Sequence, residues 1–282
     1  VLKNNNMIPI VLSRGISEDS FLKNNIRVTD YSLEDLSKKL IDISAVVHLA
    51  AKRGSQGKIA EFHENEILTQ NLYETCLKLG IKNIVYASTI SVYSDVSLLP
   101  WKEEIIPNPQ LMYGISKLTN EYIGNIYSKK GLNIKNLRFA HLFGFNEKNN
   151  YMINRFFRQA FHREQLILHA KSVAKREFLY AKDAANAIHC ALRKEELSDT
   201  FNIGSGEAFT NYEVARNIND VFDNKDNIVV NNPEGNEGIE SSYMNSSKAY
   251  KELGFTPEYS FNEAISEIYD LMRGLDRVPL WY

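Results

Sequence analysis

Tyr113 and Lys117 form the part of the sequence best suited to chemistry. Residues four apart lie on one face of a helix, so the two side chains would be neighbours. A lysine ammonium beside a phenol stabilises the phenolate and lowers the tyrosine pKa from about 10 toward neutral pH. Tyr113 could then act as a general acid or base on an alcohol. An isolated pair of this kind is more often a surface pair, so the interpretation depends on its surroundings.

A second hydroxyl group, that of Thr89, follows an apolar run at residues 83–87 that predicts a buried strand. Open α/β sheets bind their ligands at the carboxyl ends of the strands. Thr89 is therefore placed to hydrogen-bond the same alcohol as Tyr113. The three residues Thr89, Tyr113 and Lys117 together favour interconversion of an alcohol and a ketone.

Alternating strands and helices must position these residues. Buried parallel strands are predicted at residues 8–12, 45–49, 83–87 and 134–142. Helices are predicted at residues 33–40, with Ser32 as N-cap, at 67–79, closed by Gly80, and at 113–130, 153–161, 184–192, 212–222 and 261–271. Residues 224–236 read as an exposed connection. The pattern predicts an α/β protein with a Rossmann-like doubly wound parallel sheet in residues 1–145 and a smaller α/β substrate domain in residues 146–282.

The composition argues against several classes of function. Lys and Arg total 33 and Asp and Glu total 35, so the formal net charge of -2 gives no bulk attraction to nucleic acid or an anionic membrane. No apolar run is long enough to cross a bilayer, and the first residues do not read as a secretion signal. Cys76 and Cys190 lack metal-ligand spacing, so we predict no metal site and a reducing, cytoplasmic location.

The order of several segments resembles the extended short-chain dehydrogenase/reductase family, specifically its nucleotide-sugar epimerases and dehydratases. The segments are residues 28–33, 48–51, 86–93, 112–117, 137–144, 175–183 and 201–204. They cover essentially the whole chain. The resemblance implies bound NAD, a UDP-sugar substrate, and a homodimer paired through the helices at residues 67–79 and 113–130.

The resemblance also implies a role for individual residues. Thr89, Tyr113 and Lys117 would be catalytic. The implied cofactor contacts are Arg14, Asp30, Tyr31, Leu49, Ala50, Ala51, Asn65, Ala87, Ser88, Tyr113 and Lys117. The implied substrate contacts are Thr89, His141, Asn150 and Arg176. By themselves, Asp30 could simply start a turn, Arg176 could be a solvated charge, and His141, where family members commonly carry asparagine, could be a core histidine.

The reaction that the resemblance implies is 4-epimerisation of a nucleotide sugar of the UDP-N-acetylglucosamine or UDP-glucose type. Residues 53–58 and 278–282 are similar to segments of the bacillary UDP-N-acetylglucosamine 4-epimerases. Dehydratases of the family look like Thr-Asp-Glu where this chain has Thr89-Ile90-Ser91, so the carboxylates for dehydration are missing. The alternatives are an NAD(P)H-dependent reductase of a 4-keto sugar nucleotide and a catalytically silent, truncated homologue.

Three features depart from the family pattern. The family begins with a strand and a glycine-rich turn that holds a pyrophosphate, whereas residues 1–14 contain no glycine. We therefore expect the first strand and glycine loop to be missing and NAD binding to be weak. Arg14 stands where an acidic residue would hold a ribose 2'-hydroxyl, so NADP stays an alternative to NAD. Residues 236–239 lack an arginine expected to bind the diphosphate.

Overall fold

The computed structural model describes residues 1–2, 5–15, 25–52, 58–147 and 151–275. The segments 53–57 and 278–282, which carry part of the resemblance, lie outside the described residues. The strands are β1 (Val11–Ser13), β2 (Ile26–Val28), β3 (Ala45–His48), β4 (Asn83–Thr89), β5 (Asn133–Phe139), β6 (His141–Phe143), β7 (Leu166–Leu168), β8 (Arg176–Tyr180), β9 (Asp199–Ile203), β10 (Ala208–Phe209) and β11 (Ile228–Val230). The helices are α1 (Leu33–Lys39), α2 (Ile59–Leu79), α3 (Met112–Ser128), α4 (Met152–Phe161), α5 (Ala181–Leu192), α6 (Asn211–Val221) and α7 (Phe261–Arg273).

The chain forms two compact units and passes between them more than once. Unit 1 comprises residues 1–94, 106–138 and 185–201, and unit 2 comprises residues 95–105, 139–184 and those from 202 onward. The predicted domain boundary after residue 145 remains a prediction.

A four-stranded sheet in the order β3-β4-β5-β9 carries the candidate catalytic strand β4. β3 pairs with β4 in parallel, and β1 pairs with β2 in parallel as a separate two-stranded sheet. Apolar side chains of the helices and strands form the core of unit 1, among them Leu36, Leu72, Tyr73, Cys76, Ile84, Tyr86, Leu132 and Ile134. This arrangement confirms the predicted α/β class with parallel strands.

Two helix ends follow the sequence prediction and one does not. The Ser32 hydroxyl accepts from the Asp35 amide and caps α1, and Gly80, at a φ of +72°, ends α2. The predicted start of α2 at residue 67 was wrong, because the helix begins at Ile59. The Lys58 amide donates to the Glu61 side chain at 3.2 Å, which fixes this earlier start.

Two strand predictions and one loop prediction also need correction. The strand predicted at residues 8–12 begins only at Val11, because Pro9 has no amide to donate. The strand predicted at residues 134–142 is broken at Ala140, where the chain leaves the sheet of β4 and β9, and β6 pairs with β8 instead. Residues 224–236 are not only a connection, because Ile228–Val230 forms β11 in parallel with β7.

Unit 2 has a core rich in aromatic side chains. Its buried members include Phe143, Phe156, Phe157, Phe178, Phe222 and Phe261. One face of α7 contributes Ala264, Ile265 and Ile268, which are at most 1% exposed. The stability of unit 2 therefore depends on α7, including the turn at its N-terminus.

Replacing Ser260 by alanine should lower the free energy of unfolding by about 1 kcal/mol. The Ser260 hydroxyl accepts from the Glu263 amide at 3.3 Å, and the Glu263 carboxylate accepts from the Ser260 amide at 2.8 Å, so the serine caps α7. Ser266→Ala is the matched control, because the exposed Ser266 hydroxyl bonds only the Asn262 carbonyl of its own helix. Urea denaturation measures both variants, and equal losses would contradict the capping role.

Candidate active site

Thr89 is the last residue of β4 and is 7% exposed. Its Oγ1 accepts from the Ser91 amide at 3.1 Å and so caps the short 3-10 turn Ile90–Val92. The hydroxyl donates to Ser91 Oγ at 3.3 Å, which is long for a hydroxyl bond. A substrate oxygen at this strand end could therefore replace Ser91 as the acceptor at little cost.

Tyr113 and Lys117 lie one turn apart near the start of α3, as their spacing predicts. Lys117 is 4% exposed, and its Nζ donates to the Ala87 carbonyl oxygen at 2.6 Å. The same ammonium lies 5.9 Å from the centre of the Tyr113 ring and 4.9 Å from that of Tyr86. The cation is thus held beside the phenol in a site shielded from water, where its field is stronger than at a surface.

Gly114 allows α3 to approach the turn that follows Thr89. A Cβ at this position would lie 2.3 Å from the Ser91 carbonyl oxygen and 2.9 Å from Pro109 Cβ. Backbone and proline-ring atoms cannot rotate away from such a contact. The missing side chain therefore permits the packing that brings Tyr113 to the end of β4. The sequence reasoning did not single out Gly114, although it stands inside the Tyr-Gly-Ile-Ser-Lys segment.

Residues 49–51, predicted cofactor contacts, follow β3 at its carboxyl end. The Leu49 side chain is 58% exposed there, although it is apolar. Asn65 of α2 fixes the next residue, because its side chain accepts from the Lys52 amide at 2.7 Å and donates to the Lys52 carbonyl at 3.3 Å. Asn65 also donates to Ser116 Oγ at 3.2 Å. It therefore braces the loop after β3 against α3.

Asp30, Tyr31 and Arg14 lie near the ends of β1 and β2. The Asp30 carboxylate accepts from the Ser32 amide at 2.8 Å, and this bond lowers the Asp30 pKa. Arg14 Nη1 donates to Glu64 Oε2 at 3.0 Å, and its guanidinium lies 5.7 Å from the centre of the Tyr31 ring. The structure thus gives Asp30 the geometry of a turn residue and gives Arg14 a carboxylate partner.

His48 is a buried neutral histidine near Lys117. Burial and the charge of Lys117 lower its pKa to about 3. Its Nε2 lies 2.9 Å from Thr69 Oγ1, which gives its own proton to the Asn65 carbonyl at 2.7 Å. Nε2 must therefore carry the ring proton and donate it to Thr69. The imidazole adds no charge that would compete with the ammonium of Lys117.

Ser88, a predicted cofactor contact, is buried and donates its hydroxyl proton to the Glu121 carboxylate of α3. Arg138 of β5 donates to the same carboxylate through Nη2 at 2.6 Å. The sequence reasoning missed both Glu121 and Arg138. The signal for Glu121 was its position four residues after Lys117, which places both on one helix face.

In unit 2, His141 and Arg176 lie on the paired strands β6 and β8. Burial and the charge of Arg176 lower the His141 pKa to about 4, and His141 Nε2 lies 2.8 Å from Ser242 Oγ. Arg176 Nη2 contacts the Met152 sulfur at 3.6 Å. The structure therefore brings a neutral imidazole and a guanidinium together here. Asn150 lies outside the described residues.

Three further features concern the described part of the chain. There, no three His, Cys, Asp or Glu side chains are grouped so that they could hold a metal ion. Nor does any helix within those same ranges have the length and apolarity to cross a membrane. Neither Cys76 nor Cys190 is in a disulfide.

Comparison with known proteins gives consistent matches. The model of the NAD dependent epimerase/dehydratase family matches residues 2–204. The crystal structure of a UDP-N-acetylglucosamine 4-epimerase from Bacillus cereus is 64% identical and covers 100% of this chain and 93% of its own, with a TM-score of 0.92. A UDP-glucose 4-epimerase from Thermotoga maritima shares the fold, with 24% identity, 96% and 93% coverage and a TM-score of 0.83. An uncharacterized UDP-glucose epimerase of Bacillus subtilis, YtcB, is 27% identical over 88% of this chain and 78% of its own.

Replacing Gly114 by alanine should lower kcat by about 10- to 100-fold, because the added methyl group pushes Tyr113 away from the turn at Thr89. Gly124→Ala is the control on the same helix, since its Cβ would meet nothing closer than 3.6 Å. Steady-state kinetics with thermal unfolding checks both variants. Equal activity of the two would contradict the close-approach argument.

Proposed function

The chain belongs to the NAD dependent epimerase/dehydratase family, and on that premise we propose that it inverts C4 of UDP-N-acetylglucosamine. The observation that carries the proposal is the Lys117 ammonium, buried and 5.9 Å from the centre of the Tyr113 ring. The 64% identity to the Bacillus cereus enzyme over the whole chain supports the choice of sugar. A tyrosine beside a buried lysine can transfer a proton from and to an alcohol while its carbon is oxidised and reduced.

The residues at the carboxyl ends of β3 and β4 fit NAD. Ala50, Ala51 and Ala87 are small, so the backbone there is open to a flat ligand, and the exposed Leu49 offers an apolar contact. We assign the loop that Asn65 braces to the cofactor as well. When bound, NAD supplies a hydride acceptor and donor for C4, so the configuration of that carbon can invert.

We propose NAD rather than NADP because of the partner of Arg14. The Arg14 guanidinium donates to the Glu64 carboxylate at 3.0 Å, and this hydrogen bond, with the charges of Arg14 and Lys52, lowers the Glu64 pKa. Glu64 is therefore ionised at neutral pH. The Arg14 guanidinium is thus already paired with a carboxylate, which leaves it less suited to hold a ribose 2'-phosphate and favours a cofactor with a 2'-hydroxyl.

Side chains of unit 1 then take up the substrate proton and return it. Tyr113 takes the proton of the C4 hydroxyl as a phenolate, which the Lys117 ammonium stabilises. Thr89 donates to the same C4 oxygen and orients it. After the sugar has presented its other face, Tyr113 returns the proton, so no net proton or electron is consumed.

In unit 2, we assign Arg176 to the diphosphate of the substrate. A guanidinium matches phosphate oxygens with two parallel hydrogen bonds. His141 is neutral and held by Ser242, so it binds the nucleotide sugar as a hydrogen-bonding group and not as a cation.

The proposal is tested by incubating the protein with UDP-N-acetylglucosamine and following the sugars by NMR. We expect UDP-N-acetylgalactosamine to form to an equilibrium mixture with no net change in reduced nicotinamide. Stoichiometric oxidation of added NAD(P)H by a 4-keto sugar nucleotide, without epimer, would instead identify a reductase. A folded protein without activity and without NAD would identify a silent homologue.

Replacing Tyr113 by phenylalanine should lower kcat by about 100- to 10,000-fold, because the ring stays but the acid-base group is lost. The content of bound NAD should not change. Product formation by NMR and nucleotide release from the purified variant measure the two quantities. The control is Tyr212→Phe, which removes a phenolic hydroxyl from α6 in unit 2 and keeps the ring. A Tyr113 variant with wild-type kcat would contradict the assigned role.

We also propose a homodimer formed through α2 and α3, and a cytoplasmic location. The two helices pack along each other and expose the apolar side chains of Ile67, Tyr122 and Ile126, which are 49%, 55% and 55% exposed. Exposed apolar residues in one patch favour association. Cysteines outside disulfides support a reducing compartment.

Replacing Ile126 by glutamate should convert a dimer into a monomer of 32.3 kDa, because a carboxylate would be buried in the interface. Val173→Glu is the control, since Val173 is 92% exposed and lies in unit 2. Light scattering after size-exclusion chromatography measures the masses. A wild-type monomer, or an Ile126 variant that stays dimeric, would contradict the proposed interface.

A further inference from the structure

Four buried polar side chains of unit 1 form a hydrogen-bonded cluster that the proposed proton transfer does not use. They are Ser88 at the end of β4, Tyr93 after the adjoining 3-10 turn, Glu121 on α3 and Arg138 on β5. Each is at most 5% exposed. The cluster is therefore shielded from water. It connects β5 and α3, which carries Tyr113 and Lys117, with the end of β4 and the turn after it, which adjoin Thr89.

The ion pair at the centre of the cluster has nearly ideal geometry. Arg138 donates to Glu121 Oε1 from Nε at 3.0 Å and to Oε2 from Nη2 at 2.6 Å. Arg138 Nη1 donates to the Tyr93 hydroxyl oxygen at 2.6 Å. The Ser88 hydroxyl donates to Glu121 Oε1. The Glu121 carboxylate thus accepts hydrogen bonds from three donors.

Such a pair is not explained by stability alone. Taking two charges out of water costs about as much free energy as their attraction returns, and an apolar pair of similar size is often as stable. An apolar pair, however, cannot fix the orientation of a neighbouring hydroxyl group. A carboxylate held from two sides fixes the position of the Ser88 hydroxyl, and the residue after Ser88 is Thr89.

α3 reaches two consecutive residues of β4 from one face. Lys117 donates to the Ala87 carbonyl, and Glu121, one turn further along, accepts from Ser88. A single bond would leave the helix able to rotate about it. Two bonds about one helical turn apart fix both the distance and the rotation of α3 relative to the strand.

We propose that Ser88 and Glu121 are positioning residues for the 4-epimerisation, acting by fixing the end of β4 against α3 so that Thr89 and Tyr113 meet the same oxygen. This inference rests on the proposed function. The hydroxyl of Ser88 serves Glu121 and not the cofactor, and any contact of Ser88 with NAD is made by its backbone.

Ser88→Ala tests the inference, because it removes one hydroxyl and leaves the ion pair of Glu121 and Arg138 intact. We expect kcat to fall about 10- to 100-fold, with KM, bound NAD and the unfolding temperature nearly unchanged. Thr119→Ala is the matched control on α3, since the Thr119 hydroxyl donates only to Ile115 of its own helix, at 2.9 Å. It should keep wild-type kinetics.

A Ser88 variant with wild-type kcat would overturn the inference, as would a fall in kcat matched by equal losses of bound NAD and unfolding temperature. If Ser88→Ala does not fold, Tyr93→Phe removes the acceptor at the other end of the cluster, and its kcat should fall severalfold at constant KM. A Tyr93 variant with unchanged kcat would then overturn it.

Amide hydrogen exchange separates this inference from the proposed function, because it needs no substrate. Exchange over residues 89–93 should be faster in Ser88→Ala than in the wild type, while the rest of β4 is unchanged. If the wild type has no epimerase activity, the proposed function fails, and the exchange still decides whether Ser88 orders the turn. Unchanged exchange would contradict the positioning role.

Discussion

The attachment of α3 to the end of β4 is the constraint on which the rest of the site depends. Lys117 bonds the Ala87 carbonyl at 2.6 Å, and the backbone at Gly114 lies against the turn after Thr89 with no room for a Cβ. These two contacts fix the position of α3 and therefore of Tyr113, although Tyr113 itself makes neither of them. A small shift of α3 would therefore separate the phenol from Thr89 without altering any residue that touches substrate.

Burial sets the charges in both units in the same way. His48 lies near Lys117 in unit 1, and His141 lies near Arg176 in unit 2; burial and the neighbouring cation lower the pKa of each imidazole, to about 3 and about 4. Both histidines are thus neutral over the working range of pH. Under the proposed function, each cation then stabilises an anion: Lys117 stabilises the phenolate of Tyr113 in unit 1, and Arg176 binds the diphosphate in unit 2.

The sequence predicts best where the signal is local. The spacing of Tyr113 and Lys117, the Ser32 cap and the end of α2 at Gly80 all follow from neighbouring residues. Contacts between distant residues leave no periodic pattern, so the Glu121–Arg138 pair and the packing of Gly114 on Ser91 could not be found that way. The strand at Ile228–Val230 had a local signal, three β-branched residues, but the Asn and Asp residues around it favoured a loop.

The central claim is that C4 loses and regains the same hydrogen within one active site. UDP-N-acetylglucosamine carrying deuterium at C4 tests it most directly, with NMR and mass spectrometry of the epimer formed in ordinary water. We predict that nearly every UDP-N-acetylgalactosamine molecule keeps its deuterium, because the hydride never exchanges with solvent. Loss of deuterium from C4 in the product would contradict this chemistry and the roles given to Thr89, Tyr113 and Lys117.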